Sequence, residues 1–265
     1  MKYLQLIIIF LCVVSSSLAL PPIAFQDQLK MANRADLIAY EGFSSAEYTV
    51  GNYINGINGG SGWTAWTAPA DAAKVKADSP GLTYTGLPDT GNCVYGINNN
   101  GGDPGVWQAT RGISGSPFGT TPGTVWVSFI ANFGGNAYWP RSSLYLRDGS
   151  TNKVAVGNFG GDMGGSVPRL ALSVDGTTST PSPAISPIQR FFLLSIDFTA
   201  GNDPVSLWVD PNISLGESGL GTPKASVTDK DFVFDNLLLE FGYGGAFVDE
   251  IRIATTWIEA VGGGK

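Results

Sequence analysis

The chain has 265 residues, a net charge of −7, no histidine and only 14% charged residues. This acidic balance, without a basic cluster, argues against binding to nucleic acid or to an anionic membrane surface. The lack of histidine excludes Ser-His-Asp and Cys-His catalysis and the usual zinc sites. Glycine, at 36 residues, is about twice as frequent as usual, which favours an extracellular all-β protein with many turns.

Residues 1–19 have the composition of a secretory signal peptide. Lys2 supplies a positive charge, residues 6–14 are apolar, and Ser17 and Ala19 occupy the small-residue positions before the expected cleavage site. The apolar run is shorter than the about 20 residues that cross a bilayer, so secretion is favoured over a retained anchor. We expect residues 20–36 to be a lead-in, residues 37–261 a single domain and residues 262–265 a tail.

Short segments with alternating apolar residues follow one another from residue 37, as is typical of half-buried strands. Residues 191–198 are almost wholly apolar, which predicts a central strand covered on both faces. Pairs such as Asp148-Gly149 and Asp175-Gly176 predict tight turns between the strands, and residues 177–187 are predicted to be a loop. The predicted strands are 37–43, 74–77, 82–84, 93–97, 106–112, 124–133, 142–147, 154–159, 169–174, 191–198 and 205–209. Such a succession predicts an antiparallel sandwich.

The stretch 232–257 reads as a hairpin of two strands joined by a glycine turn. In its second strand, alternation places Asp249 on the same apolar face as Phe247, Ile251 and Ile253. Because an unpaired buried carboxylate is costly, Asp249 needs hydrogen-bond donors or a cation. Backbone N–H groups or an arginine are favoured, and a structural calcium ion is the alternative. Asp249 and Ile251 are therefore predicted to be structural residues, and no other cofactor is expected.

The two cysteines cannot form an internal disulfide in the mature chain. Cys12 lies within the predicted signal peptide, so cleavage leaves Cys93 alone. Cys93 either cross-links two chains or is a buried, inert thiol, and the second interpretation is favoured.

Four segments resemble the secreted LamG-like members of the concanavalin A-like lectin/glucanase superfamily. They are AYEGF at 39–43, GGSGW at 59–63, GNDPVSLWV at 201–209 and DEIRI at 249–253. The resemblance covers nearly the whole mature chain and implies an all-β, antiparallel jelly-roll β-sandwich whose last strand lies beside the first. Such proteins are abundant in planctomycetes and verrucomicrobia and mostly lack an assigned activity.

The superfamily includes glucanases, so the sequence has to be tested for catalysis. Retaining glycosidases use two carboxylates about 5–5.5 Å apart, and the glucanase signature Glu-x-Asp-x-x-Glu is absent. Asp249 and Glu250 are adjacent and therefore point to opposite faces of a strand, and Asp235 and Glu240 also differ in parity. We expect neither glycoside hydrolase nor lyase activity.

Binding of a sugar requires exposed aromatic faces and a few hydrogen-bonding groups. The candidate ligand-binding residues are Trp63 and Trp66 in a glycine-rich loop, and Tyr138 with Trp139. The sequence thus predicts a secreted, non-catalytic module for carbohydrate binding or adhesion, with a polysaccharide or glycan as partner. The alternative is a self-associating structural subunit of an extracellular matrix, sheath or filament.

Overall fold

The computed structural model describes residues 36–68, 75–88, 91–96, 107–133, 142–159, 170–181, 188–228, 230–242 and 245–263. Leu37–Lys265 forms one compact unit. The predicted signal peptide and all of the lead-in except residue 36 lie outside the described residues, and both stay predictions. Within the described ranges, no helix is long and apolar enough to cross a membrane.

Fourteen strands and a short helix make up the regular structure of the described ranges. The strands are β1 (Leu37–Glu41), β2 (Val75–Asp78), β3 (Cys93–Gly96), β4 (Trp107–Gly112), β5 (Gly123–Asn132), β6 (Ser142–Asp148), β7 (Thr151–Asn158), β8 (Leu170–Val174), β9 (Thr177–Ser179), β10 (Arg190–Phe198), β11 (Val205–Val209), β12 (Ala225–Val227), β13 (Asn236–Phe241) and β14 (Ala246–Ala254). Helix α1 (Trp257–Ala260) follows β14, and two 3-10 turns, Ile213–Leu215 and Glu217–Gly219, lie between β11 and β12.

The strands form two antiparallel sheets that enclose one main core. The larger, eight-stranded sheet has the order β12-β11-β10-β5-β14-β3-β2, with β1 also paired to β14. The smaller sheet has the order β4-β13-β6-β7-β8-β9. The facing sides of the two sheets supply fully buried residues such as Phe129, Leu194 and Leu239. Because the chain passes repeatedly between the sheets and its first and last strands pair, the predicted antiparallel jelly-roll sandwich is confirmed.

Most of the predicted strands are present within one to three residues of their expected bounds. Strand β10 lies between β11 and β5, and its residues from Phe191 to Ile196 are buried, so the predicted central strand is confirmed. Residues 82–84 form no strand, because the backbone there turns to meet the side chain of Asp249. The short strands β9 and β12 were not predicted, since three residues are too few to show an alternation.

The predicted hairpin at 232–257 is wrong, although both of its strands exist. Strand β13 pairs with β4 and β6 in the smaller sheet, whereas β14 pairs with β5, β3 and β1 in the larger one. The connection therefore crosses from one sheet to the other. Alternation of apolar residues predicts that a segment is a strand, but it does not identify the partner strand.

A β-bulge in β14 also changes the predicted faces. Between Asp249 and Arg252 the register against β5 shifts by one residue, and Glu250 adopts a positive φ of 52°. An extra residue of this kind reverses which face the following side chains occupy. Ile251 consequently packs in the main core, as predicted, while Phe247 packs on the outer face of the sheet. The prediction that Phe247 and Asp249 share the face of Ile251 is therefore wrong.

Candidate functional site

A cleft of about 620 Å³ opens on the outer face of the larger sheet. Strands β5, β10 and β11 supply one part of its lining. The second 3-10 turn, with the residues that follow it up to Gly221, supplies another part, and residues 255–257 before and at the start of α1 complete it. The cleft thus joins a rigid sheet surface to two connecting segments.

Trp126 and Trp208 form the aromatic floor of the cleft. Both occupy the outward phase of their strands, between residues that point into the core, and their ring centroids lie 6.0 Å apart with planes inclined by 33°. Trp126 is nearly covered, whereas Trp208 is half-buried. The indole N–H of Trp208 donates to the carbonyl of Gly221 at 3.0 Å, which fixes the ring orientation and leaves part of its surface open.

Trp257, the first residue of α1, is the third tryptophan of the lining. Its side chain is half-buried. Its Nε1 atom is buried and has no hydrogen-bond acceptor among the described residues. Because this nitrogen is buried, Trp257 contributes ring surface to the cleft and not a hydrogen-bond donor.

Polar groups surround the three rings. Asp197 lies opposite Thr124 in the β10–β5 ladder, and the Thr124 hydroxyl donates to its Oδ1 atom at 2.8 Å. Ser195 lies opposite Trp126 in the same ladder. Glu217 is exposed at the start of the second 3-10 turn. Further hydroxyl groups come from residues 218, 255 and 256, and the described residues that line the cleft include no lysine or arginine. The site therefore combines ring surfaces with many hydroxyl and carboxylate oxygens.

Trp63 and Trp66, predicted to bind ligand, are instead core residues with 6% and 1% of their surface exposed. The guanidinium carbon of Arg111 lies over both rings, 5.0 Å from the Trp63 centroid and 4.7 Å from that of Trp66. The Trp66 N–H donates to the hydroxyl of Tyr48 at 3.1 Å. Because protein groups cover these rings, a sugar cannot stack on them, and the prediction is wrong for both residues.

The glycine-rich loop is responsible for this burial. Gly62 has a φ of +76°, and a Cβ atom there would lie 2.0 Å from the carbonyl oxygen of Ile38 in β1. Only glycine permits so close an approach. The loop is thereby held against the edge of the sandwich, and Trp63 and Trp66 pack into the core.

The charge of Arg111 is neutralised inside the protein. Arg111 donates to Glu41, and both side chains are fully buried. Tyr48 and the backbone N–H of Phe43 also donate to the Glu41 carboxylate. Burial raises the pKa of Glu41 and lowers the pKa of Arg111, while the opposite charges and these hydrogen bonds act against both shifts. The group is a structural ion pair with no opening to a ligand.

Tyr138 and Trp139, the other two predicted ligand-binding residues, lie outside the described residues and stay predictions. Asp249 is fully buried and accepts hydrogen bonds from the backbone N–H groups of Leu82 and Glu250, each at 2.8 Å. These donors support the structural interpretation of Asp249. In the part of the chain that the structure describes, no group of three or more Asp, Glu or Cys residues is arranged to hold a metal ion.

Cys93 is buried, with 1% of its surface exposed, and its side chain lies on the outer face of strand β3 in the larger sheet. Burial is the main cause that raises the pKa of its thiol to about 12, and the charges of Asp249 and Asp78 contribute. Because the thiolate is the reactive form, this cysteine has the properties of an inert core residue.

The sequence contains a local signal for the cleft. In β5 the side chains of Val125 and Val127 point into the core, so Trp126 lies on the opposite face of the strand, together with Ser128. Trp208 likewise falls on the same phase as Ser206 in β11. A tryptophan on the otherwise polar phase of a strand is directed away from the core. Two such residues, on strands β5 and β11 that flank β10, indicate an aromatic surface.

The fold and the site together define a jelly-roll β-sandwich with a tryptophan-lined cleft on the outer face of its larger sheet. Comparison with protein-family models and with curated proteins found no match for the sequence.

Several solved structures are similar. A β-1,3-glucanase from Mycobacterium marinum aligns with 12% identity and a TM-score of 0.41 over 82% of this chain and 98% of that chain. Domain 4 of the extracellular arabinanase AbnA from Geobacillus stearothermophilus, solved with arabinotriose, aligns with 12% identity and a TM-score of 0.38 over 85% and 96%. A protein with a galectin-like fold from Bacillus subtilis aligns with 9% identity and a TM-score of 0.36 over 78% and 98%. Likenesses this distant do not bear on ligand or activity.

Proposed function

We propose that the protein is a secreted, non-catalytic carbohydrate-binding module whose ligand occupies the cleft lined by Trp126, Trp208 and Trp257. The observation that carries this proposal is the composition of the lining, which places three tryptophans, two carboxylates and five hydroxyl side chains around one cavity of about 620 Å³. That volume lies within the about 300–1,000 Å³ of typical small-molecule sites.

The chemistry of this lining matches the two kinds of surface on a sugar. A pyranose ring presents C–H faces, which pack against aromatic rings such as those of Trp208 and Trp257, and hydroxyl groups around its edge. Carboxylates accept hydrogen bonds from such hydroxyls, and Asp197 and Glu217 provide four oxygen atoms for this purpose. The hydroxyl side chains of the lining can donate as well as accept. Each side of an amphipathic sugar therefore has a partner.

Two features support the absence of catalysis. Glycosidases hold one carboxylic acid protonated in an apolar environment beside a second carboxylate. Glu217 is exposed to solvent, and Asp197 accepts a hydrogen bond from Thr124, so neither carboxylate has an apolar enclosure. The proposal that the protein is secreted is supported by the signal-like composition of residues 1–19.

The test is a screen of the protein without its first 19 residues against neutral oligosaccharides, followed by titration calorimetry with each ligand found. We expect Trp208→Ala and Trp257→Ala each to weaken binding by about tenfold, since loss of a stacked aromatic costs about 0.5–1.5 kcal/mol beyond the lost area. Tyr53→Ala is the control, because Tyr53 is 48% exposed and lies outside the cleft lining. It should bind like the wild type.

Three results would contradict the proposal. They are full affinity in both tryptophan variants, no binding to any glycan, and release of new reducing ends from a bound oligosaccharide. Size-exclusion chromatography of the same sample tests the alternative, a self-associating structural subunit. That alternative would gain support if large assemblies formed and no glycan bound.

A further inference from the structure

We propose that the cleft selects glycans that carry positively charged amino groups, such as polymers of glucosamine, over their N-acetylated and their anionic counterparts. This inference rests on the proposed function, because it assigns the charge of the ligand that binds between the same tryptophans.

The charges of the lining all have one sign. Asp197 and Glu217 are both acidic, and the remaining lining residues are neutral. The chain as a whole has a net charge of −7. A negative cleft on a negative protein attracts cationic polymers and raises their local concentration.

Two other acidic side chains near the same sheet have a cation as partner. Asp210 pairs with Arg190, and Glu250 pairs with Arg252, each at 2.7 Å. Among the described residues, the donor to the Asp197 carboxylate is a neutral hydroxyl, that of Thr124. For Glu217 the described residues provide neither a hydrogen bond nor a salt bridge to the side chain. The negative charges of the cleft are therefore uncompensated by the protein.

An ammonium group satisfies this arrangement better than the other common sugar substituents. It carries three N–H donors and one positive charge, which suit the free carboxylate oxygens. A cation is also attracted to the face of a tryptophan ring, and the rings of Trp208 and Trp257 line the same cavity. An acetamido group lacks the charge. A uronate would place a third carboxylate beside Asp197 and Glu217.

The test compares three hexasaccharides, of glucosamine, of N-acetylglucosamine and of galacturonate, in low salt at a pH where the amine is protonated. Each carboxylate should favour the glucosamine hexamer by about 1.5- to fivefold, the range expected for a solvent-exposed ion pair. Asp197→Asn removes one charge and keeps a side-chain oxygen that can accept from Thr124. Glu217→Gln removes the other charge with little change of shape. Each variant should lose the part of the preference that its carboxylate contributes. Added salt should reduce the preference of the wild type.

Asp148→Asn is the matched control, because it removes one exposed negative charge at the end of β6 in the smaller sheet, outside the cleft lining. It should keep the full preference. The inference is overturned if the glucosamine and N-acetylglucosamine hexamers bind equally, if the galacturonate hexamer binds best, or if Asp148→Asn acts like the two cleft variants. The proposed function would survive each of these results if a glycan binds to the wild type and the Trp208→Ala variant loses that binding. Failure of all three hexamers to bind would overturn this inference, whereas the proposed function is decided by the screen of neutral oligosaccharides and fails only if no glycan binds.

Discussion

The protein contains two groups of tryptophans that differ in what covers their rings. The inner cluster, Trp63 and Trp66, is buried and has the Arg111 guanidinium over both rings. The cleft cluster, Trp126, Trp208 and Trp257, lines an open cavity to which the described part of the chain contributes no cation. In the inner cluster the protein itself supplies the cation that an aromatic face attracts. In the cleft cluster the corresponding position, over the ring faces of Trp208 and Trp257, is open to a ligand.

The comparison shows that local sequence context is a poor guide to the exposure of a tryptophan. The inner cluster lies in a glycine-rich loop, which suggests exposure, yet the glycines allow the loop to approach the sandwich closely enough to bury it. Two members of the cleft cluster lie in regular strands, which suggests burial, yet they occupy the outward phase. The role of each ring is decided by the groups that other segments bring to it.

The largest expected effect comes from removing a ring of the inner cluster. Trp66→Ala should destabilise the protein by about 3–5 kcal/mol, because it leaves a cavity and removes the partner of Tyr48. Trp257→Ala, in the cleft cluster, should cost less than half of that, since its ring is already partly exposed. Urea unfolding of both variants provides the measurement. Equal losses of stability would show that the two clusters do not differ in the way described.

Arg111→Met tests whether the cation of the inner cluster is structural. Loss of one partner leaves the carboxylate of Glu41 buried without its counter-charge, and we expect a cost of about 3–5 kcal/mol. The double variant Glu41→Leu/Arg111→Met removes both charges and should be more stable than Arg111→Met alone. Thermal melting of the two proteins measures the difference. If the double variant is the less stable of the two, the charge of Glu41 does not cause the loss.

Asp249→Asn tests whether the buried carboxylate of Asp249, on the outer face of the larger sheet, stabilises the fold. The variant removes the charge of a carboxylate that accepts two backbone hydrogen bonds. We therefore expect the free energy of unfolding to fall by about 1–3 kcal/mol. Asp197→Asn, in the cleft, should change stability by less than about 1 kcal/mol because its hydrogen bond to Thr124 is retained. Melting should be repeated with calcium and with chelator. A gain of stability with calcium in the wild type alone would favour the metal interpretation of Asp249.

The smallest expected effect concerns Cys93. Burial raises the pKa of its thiol from the ordinary 9.0 to about 12, so the unfolded chain loses this proton at a lower pH than the folded protein does. The contribution of the thiol to stability is therefore complete below pH 9 and declines as the pH rises toward 12. Near pH 10 the wild type should have lost about 1 kcal/mol more than Cys93→Ala, each relative to its own stability at neutral pH. If the stabilities of the wild type and Cys93→Ala fall equally between neutral pH and pH 10, the thiol is accessible to solvent in the folded protein and the prediction is wrong.

The sequence predicted the strands well and the long-range relations poorly. The apolar run of β10 and the alternation of β11 are local properties, and both strands have the predicted character. The bulge at Glu250 could not be predicted, because one extra residue reverses parity without altering the pattern of letters. The burial of Trp63 depends on Arg111, which is far away in the chain and shows no local sign of its partners. For the same reason the sequence does not show the cleft as a whole, because five separate segments build it.

The most direct test of the account is an NMR titration of the indole N–H signals, assigned by single Trp→Phe variants. The chain contains seven tryptophans, so each signal reports on one position while a glycan ligand is added. The account predicts that the signals of Trp126, Trp208 and Trp257 shift in proportion to bound ligand, while those of Trp63 and Trp66 stay unchanged. The account would be contradicted if the signals of the inner cluster moved, or if only Trp139 responded while the cleft cluster did not.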